Sequence, residues 1–291
     1  MGKKETMNVC PVSIVCASYM GRKKLPNLVD SIYKSSLYPS EIVICVTSEE
    51  EVKDIYDPNS IIETVVSPRA NQVTQRILAI NKSKNEIIIQ VDDDIVFDQY
   101  AIEKLYLRII KSRKNEIVGG SVFCHDERRQ SSRWAFYYSK NIFFKFALFV
   151  LNGFKNFNSF SVIMSGRIIP RLPGDRRKII NHASWSPSFM SYRKSILPEA
   201  EFISSTTKSF YEDVYFSQSL VEKGFKITVI DNARIYHEIS PSTSYKLYLK
   251  TISAQYRIVS RFGLSYLAFF ADIFFSHLYF LTNTLYKQFK S

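Results

Sequence analysis

The chain has 291 residues, 46% of them hydrophobic, and a formal net charge of +12. That hydrophobic share excludes a disordered chain, and the length suits one larger α/β domain with an appendage better than two equal domains. The charge implies an anionic partner, whether nucleotide, nucleic acid or membrane surface. Basic residues concentrate between Arg128 and Lys194 and recur around the C-terminal tail, while acids gather in the first half.

At the N-terminus, MGKKET matches a myristoylation pattern through Gly2 and Thr6, a match loose enough to be chance. The apolar stretch after Lys3 and Lys4 is short and interrupted by Pro11 and Ser13, so no secretory signal is expected. Cys10, Cys16, Cys45 and Cys124 show no paired metal spacing and read as buried reduced thiols, which suits a cytoplasmic location.

From Val12 to about Phe123, β-branched runs alternate with helical segments, the pattern of a mostly parallel, Rossmann-like α/β sheet. Strands are expected at Val12 to Ala17, Glu41 to Val46, Ile61 to Val66, Glu86 to Val91 and Ile117 to Phe123. Helices are expected near Leu25 to Ser35, Glu49 to Tyr56, Ala70 to Asn81 and Gln99 to Arg113. Neither a G-x-G-x-x-G nor a Walker loop is present, which disfavours dinucleotide dehydrogenases and P-loop enzymes.

The fourth strand closes on Asp92, Asp93 and Asp94. Two like charges ~4 Å apart repel by roughly 1 kcal/mol in water and about 4 kcal/mol at an effective dielectric of 20, so such a cluster calls for a cation. Mg²⁺ or Mn²⁺ takes one or two carboxylates and completes its shell with substrate phosphates. The carboxyl end of a strand in an open α/β sheet is also where such sheets bind ligands. A solvated acidic turn before the next helix is the plainer alternative, and Phe97 at the sixth loop position excludes an EF-hand.

After His125 the alternation gives way to a basic and aromatic insertion, about 125–184, with a turn at RLPGDRR. Helices follow at Ser191 to Leu197 and Tyr211 to Gly224, the second capped by Gly224. A strand pair, Lys226 to Ile230 and Ala233 to Tyr236, is expected around Asp231-Asn232, and the chain reads helical past Ser244. The domain division is thus 1–244 and a tail, 245–291.

The order of VDDD, then YEDVYFSQSLVEKGF, then RIYHEIS resembles an inverting family 2 glycosyltransferase of the GT-A fold. The resemblance covers about Val12 to Ser240 and is strongest at these three motifs. It implies Asp92 near the donor ribose, Asp94, with Asp92 and His237, at a Mn²⁺ or Mg²⁺ ion, and Asp93 between them supporting either task. It also implies Asp213 as general base on the acceptor hydroxyl, with Glu212 beside it. Ala17, Ser18, Tyr19 and Arg22 are similar to the loop flanking the nucleotide base, and Arg69 and Arg76 match basic positions facing base or phosphates. Acids opening a helix, exposed helix arginines and a surface His after a strand are the plainer readings of these residues. The family's acidic residue after the second strand is absent; Val46-Thr47-Ser48 stands there, and Thr47 or Ser48 is left to meet a base edge. HASWSPSFMSYRK is similar to the stretch lining sugar and acceptor, placing Trp185 and Ser186 there, with a core aromatic as the alternative for Trp185.

The resemblance implies a nucleotide-sugar donor and a glycan or lipid-linked acceptor. A nucleotidyltransferase is the competing enzyme, but the loop after Ala17 holds only Gly21 with Arg22-Lys23-Lys24. A nucleic-acid-binding protein lacks any supporting motif, so no nucleic-acid partner is expected. In the tail, Leu264, Leu267, Ala271, Phe274, Leu278, Leu281 and Leu285 recur at three- and four-residue steps, with Ser265, Asp272, Ser276 and Asn283 on a narrow opposite strip. This pattern suits peripheral attachment at the cytoplasmic face of a membrane, with Asp272 arguing against a span and a packed or homodimer helix as the alternative.

Overall fold

The β-branched runs become strands and the apolar-periodic runs helices in the computed structural model, which describes residues 8–124, 142–172, 175–203, 210–237 and 245–288. In chain order the elements are β1 (Val9–Ala17), α1 (Leu25–Tyr33), β2 (Tyr38–Val46), a 3₁₀ turn (Glu49–Glu51), β3 (Ile62–Val66), α2 (Gln72–Lys82), β4 (Ile87–Asp92), β5 (Ile95–Phe97), α3 (Ala101–Ile110) and β6 (Glu116–Cys124). Then come α4 (Ile142–Leu151), β7 (Ser161–Val162), β8 (Ile168–Ile169), β9 (Ile179–Ala183), β10 (Met190–Arg193), a 3₁₀ segment (Lys194–Glu199), α5 (Glu212–Glu222), β11 (Lys226–His237), α6 (Tyr245–Arg261) and α7 (Tyr266–Gln288). They gather into two units, one of residues 1–131 and 176–240, the other of residues 132–175 and 241–291. The insertion and the tail, separated in sequence, therefore make a single body.

The first unit is built on a nine-stranded sheet in the order β3-β2-β1-β4-β10-β6-β11-β5, with β9 beside β11. Strands β3, β2, β1 and β4 run parallel, and β10 enters antiparallel between β4 and β6. Central strands of this kind are apolar on both faces. Val12, Ile14, Val15 and Cys16 of β1 and Ile42 to Val46 of β2 are all buried. Helix α1 covers them with Leu25, Leu28, Val29 and Ile32, spaced as one helical face, and carries proline in its first turn, where a missing N–H costs nothing. Helix α2 is capped by Asn71, whose side chain accepts from Thr74 N–H at 2.9 Å. Gly224, at φ +84°, ends α5 in the left-handed region as expected, with Gly224 and Phe225 N–H donating back to Val221 and Leu220.

Several local expectations are corrected. Ser191 to Leu197 does not form a helix: Met190–Arg193 is a strand paired with Ile87–Gln90, and only Lys194–Glu199 turns as 3₁₀. The Tyr192 hydroxyl reaches Gln90 Oε1 at 2.9 Å within the sheet, a tertiary partner that local periodicity does not register. The pair around Asp231-Asn232 is one strand, β11, running parallel to β6 on both sides of an irregularity between Val229 and Arg234. Those two polar residues occupy the bulge, where Asp231 N–H donates to Lys178 O at 2.9 Å, rather than a hairpin turn. The helix at Glu49 to Tyr56 shortens to Glu49–Glu51. Strands β5 and β9, both antiparallel to β11, were not expected.

In the second unit Leu148, Leu151, Ile163 and Ile169 form an apolar core with Phe157, Leu172 and Ala271 against it. Beside it lies a buried polar network. Arg167 Nε donates to both oxygens of Asp272 at 3.0 and 2.9 Å, and its Nη2 donates to Asp272 and, at 2.7 Å, to Ser276 Oγ. Ser165 Oγ and Gln255 Nε2 add donors to the same carboxylate at 3.1 and 2.8 Å. Asp272 and Ser276 of the tail's polar strip thus face inward, and Leu267, Phe270, Phe274, Phe275 and Leu278 face outward, while Leu281, Asn283 and Leu285 lie outside the residues whose side chains are described. Among the described residues, no helix is long and apolar enough to cross a membrane.

Candidate active site

Register places the site. Ala17 stands opposite both Cys45 and Asp92, so the loops after β1, β2 and β4 leave the sheet side by side. Ser18, the first residue of the first loop, donates through Oγ to Asp93 Oδ2 at 2.7 Å and through its backbone N–H to Cys45 O at 2.8 Å. Gly21 is confined there: a Cβ would lie 1.9 Å from Ser18 Oγ and 2.8 Å from Asp93 Oδ2. Its N–H donates to Glu51 Oε2 at 2.9 Å, while Glu51 Oε1 accepts from Thr47 N–H at 3.0 Å and Thr47 Oγ1 at 2.7 Å. The buried Glu51 carboxylate therefore ties the loops after β1 and β2 together.

The three aspartates have separate surroundings. Asp92 Oδ1 accepts from Arg76 Nη2 at 2.9 Å and from Gln72 Nε2 at 3.4 Å. Asp93 is pushed up from the ordinary carboxylate range by burial, against which Ser18 and Lys24 act. Lys24 Nζ lies 3.6 Å from Asp93 Oδ1 and 3.5 Å from Asp94 Oδ2. His237 Nε2 lies 3.1 Å from Asp94 Oδ1, brought there because His237 pairs with Ile95 across β11 and β5.

Arg76 connects this cluster to the second acidic pair. Its guanidinium, buried to 1% exposure, donates through Nη1 to Glu212 Oε1 and through Nη2 to Asp92. Burial opposes its charge, but the neighbouring Glu212 and Asp92 outweigh that and hold it protonated. Glu212 is raised by its own burial, with Arg76 pulling the other way. Asp213, half-buried in the first turn of α5, is pushed up to about 8 by burial and then by Glu212 and Asp92, despite accepting Val214 N–H at 2.9 Å. Tyr211, just before them, sits at φ +62°, a strained placement for a residue with a Cβ, costing about 1–3 kcal/mol, of the kind that collects at functional sites.

Two contact chains thus start from adjacent aspartates, one from Ser18 through Asp93, Lys24 and Asp94 to His237, the other from Asp92 through Arg76 to Glu212. Arg76, expected to face base or phosphates, is placed as a buried strut between Asp92 and Glu212. Arg22 lies outside the cluster, forked onto Asp54 at 2.6 and 3.3 Å, and Arg69 and Tyr19 are exposed. Trp185, at 6% exposure, offers no open face for a sugar, and the buried Ser186 donates its N–H to Ser217 Oγ at 3.2 Å. Lys24, Glu51, Gln72 and Gln75, whose Nε2 donates to Ser18 O and Cys45 O, were not singled out from the sequence. Lys24 carried a signal, as a cation in the loop after the first strand; Glu51 looked like one acid in an ordinary helix start.

Among the described residues no three His, Cys, Asp or Glu side chains form a complete metal cage. A two-ligand site of Asp94 and His237 nonetheless fits Mn²⁺ or Mg²⁺, because such ions draw their remaining ligands from phosphate and water.

The sheet, with carboxylates at the carboxyl end of β4 and the start of α5, is that of a GT-A glycosyltransferase domain. The family description "Glycosyl transferase family 64 domain" matches residues 12–169, more than half of the chain, and the chain belongs to that family. The family 2 resemblance rests on motif order. No curated protein sequence matches the chain. Among solved structures it is similar to GalNAc-T7 with UDP, GalNAc and Mn²⁺, at 14% identity and a TM-score of 0.57, covering 88% of this chain and 48% of that one. It is also similar to S. aureus TarS 1–349, at 13% identity and a TM-score of 0.50, covering 86% of this chain and 65% of that one. The same TarS segment with UDP-GlcNAc gives 12% identity and 0.52, covering 86% and 67%. The chain spans about half the length of the GalNAc-T7 structure, and these likenesses establish the fold.

Proposed function

We propose that the protein transfers a sugar from a nucleoside-diphosphate sugar to a hydroxyl of a glycan or lipid-linked acceptor, with inversion, using Mn²⁺ or Mg²⁺. The observation that carries this is a pair of acidic groups starting from adjacent aspartates: Asp94 against His237 on one side, Asp92 through Arg76 to Glu212, the chain neighbour of Asp213, on the other. UDP and Mn²⁺ in the GalNAc-T7 structure, and UDP-GlcNAc with TarS, support a donor of this class. Asp94 and His237 would hold the ion, which supplies charge to a leaving diphosphate. The acceptor oxygen attacks the anomeric carbon, the bond from that carbon to the diphosphate oxygen breaks, and Asp213 takes the hydroxyl proton. Lys24, beside Asp93 and Asp94, adds positive charge on the donor side of the cluster. Thr47, held by Glu51, and the Ser18–Gly21 loop, tied to the same carboxylate, would line the nucleoside.

A panel of nucleotide-sugars with Mn²⁺ tests the reading by release of free nucleoside diphosphate, and the product's anomeric configuration by NMR tests the stereochemistry. Asp94→Ala and excess chelator should each abolish transfer. Pyrophosphate release from a nucleoside triphosphate would point instead to nucleotidyl transfer, and full activity in chelator would remove the metal from the proposal.

A further inference from the structure

We infer that the outer face of α7 is a docking surface for an anionic lipid bilayer. An amphipathic helix normally buries its apolar stripe, but α7 does the reverse. Asp272 and Ser276 are turned inward, satisfied by Arg167, Ser165 and Gln255, while Leu267 (83% exposed), Phe270 (60%), Phe274 (64%), Phe275 and Leu278 form an outward stripe. The inward orientation is fixed by the bidentate Arg167–Asp272 contact and by Phe269, buried against Tyr256 of α6 at a centroid distance of 5.7 Å. The helix is therefore not free to roll its apolar side into its own unit.

Charge selects the occupant. Residues 132–175 and 241–291 carry twelve Lys and Arg against two acids, Asp175 and Asp272, a formal +10 of the chain's +12. Both acids are engaged within the unit, Asp272 by Arg167 and Asp175 by Ser159 Oγ. Lys145, Lys155, Lys250 and Arg257 are exposed. Seven of the twelve cations are lysines, a residue depleted from protein–protein interfaces but suited to snorkelling its ammonium toward lipid phosphates. An exposed stripe of Phe and Leu on a strongly cationic unit is the pattern of a helix lying in the headgroup layer. This inference stands on the second unit alone and does not depend on the reaction proposed for the first.

The test is co-sedimentation of the full chain with phosphatidylcholine vesicles and with phosphatidylcholine–phosphatidylglycerol vesicles. The chain should pellet with the anionic vesicles only, and high salt should release part of it. Phe270→Ser with Phe274→Ser should weaken that binding by about 10-fold or more, since both rings leave water on docking. A polarity-sensitive dye on Leu267→Cys should shift to the blue on anionic vesicles, a readout that keeps the inference testable if the double variant folds poorly. Equal affinity for neutral vesicles, no vesicle binding at all, or a soluble dimer that the double substitution dissociates would each overturn it, the last in favour of a second copy as the occupant.

Discussion

Asp213 carries the sharpest expectation at the level of single residues. Its carboxyl is held up to about 8, so at neutral pH most of it keeps its proton and cannot accept another. Transfer in the free-enzyme regime should therefore rise with pH along a limb with an apparent pKa near 8, far above an ordinary aspartate, as a pH series of kcat/KM would show. Asp213→Asn should remove that limb and lower kcat by about 10²- to 10⁴-fold with donor affinity nearly unchanged. The sign for stability is opposite. A carboxyl raised in the folded state contributes stability that is full below its unfolded pKa, near 4, and lost as pH rises through about 8, and the Asn variant should lack that part of the pH dependence. Arg76 is the complementary case. Arg76→Met leaves Glu212 buried without its cation, at a cost of about 3–5 kcal/mol in denaturant unfolding, whereas adding Glu212→Leu should recover a large part. Asp92–Asp94, Glu212-Asp213 and His237 were legible in the sequence because charged residues at strand and helix ends stand out. That Arg76 joins them was not, because an arginine on a helix reads the same whether it faces water or two carboxylates.

Elements were legible where local periodicity and burial agree, and lost where a distant partner decides. The runs giving β1 to β4 needed only their own apolar composition, and each strand was expected within a few residues of where it lies. Met190–Arg193 became a strand because β4 and β6 leave a place between them, a fact of topology that no window around Ser191 contains. In α7 the period was legible, but the partner that fixes its direction was not: Arg167, more than a hundred residues away, draws Asp272 inward. That pair gives a test at this scale. Asp272→Ala leaves the Arg167 guanidinium partly buried with its main acceptor gone, which should cost about 3–5 kcal/mol in unfolding free energy. Replacing both, Asp272→Leu with Arg167→Met, should cost much less, because the penalty lies in the orphaned charge rather than in the loss of the pair.

Across the whole molecule, chemistry and charge are divided between the two units. The cluster from Ser18 to His237 lies wholly in residues 1–131 and 176–240, whose formal charge is only +2, while the remainder holds +10. A division at 1–244 and 245–291 follows from reading the chain linearly; that residues 132–175 fold with 241–291 is a long-range grouping that composition hints at only through the shared basic and aromatic content. The division makes a last expectation for ligand linkage. If the proposed function holds, a nucleoside diphosphate with Mn²⁺ should bind the folded first unit alone, and at a hundred times its Kd should add about 2.7 kcal/mol to that unit's stability. If the units unfold separately, calorimetry should resolve two transitions, of which the ligand raises one and Asp272→Ala lowers the other. Movement of both transitions by either change would mean that the units unfold together. In that case the chain unfolds as one cooperative body, and substitutions in α7 would reach the active site through global stability.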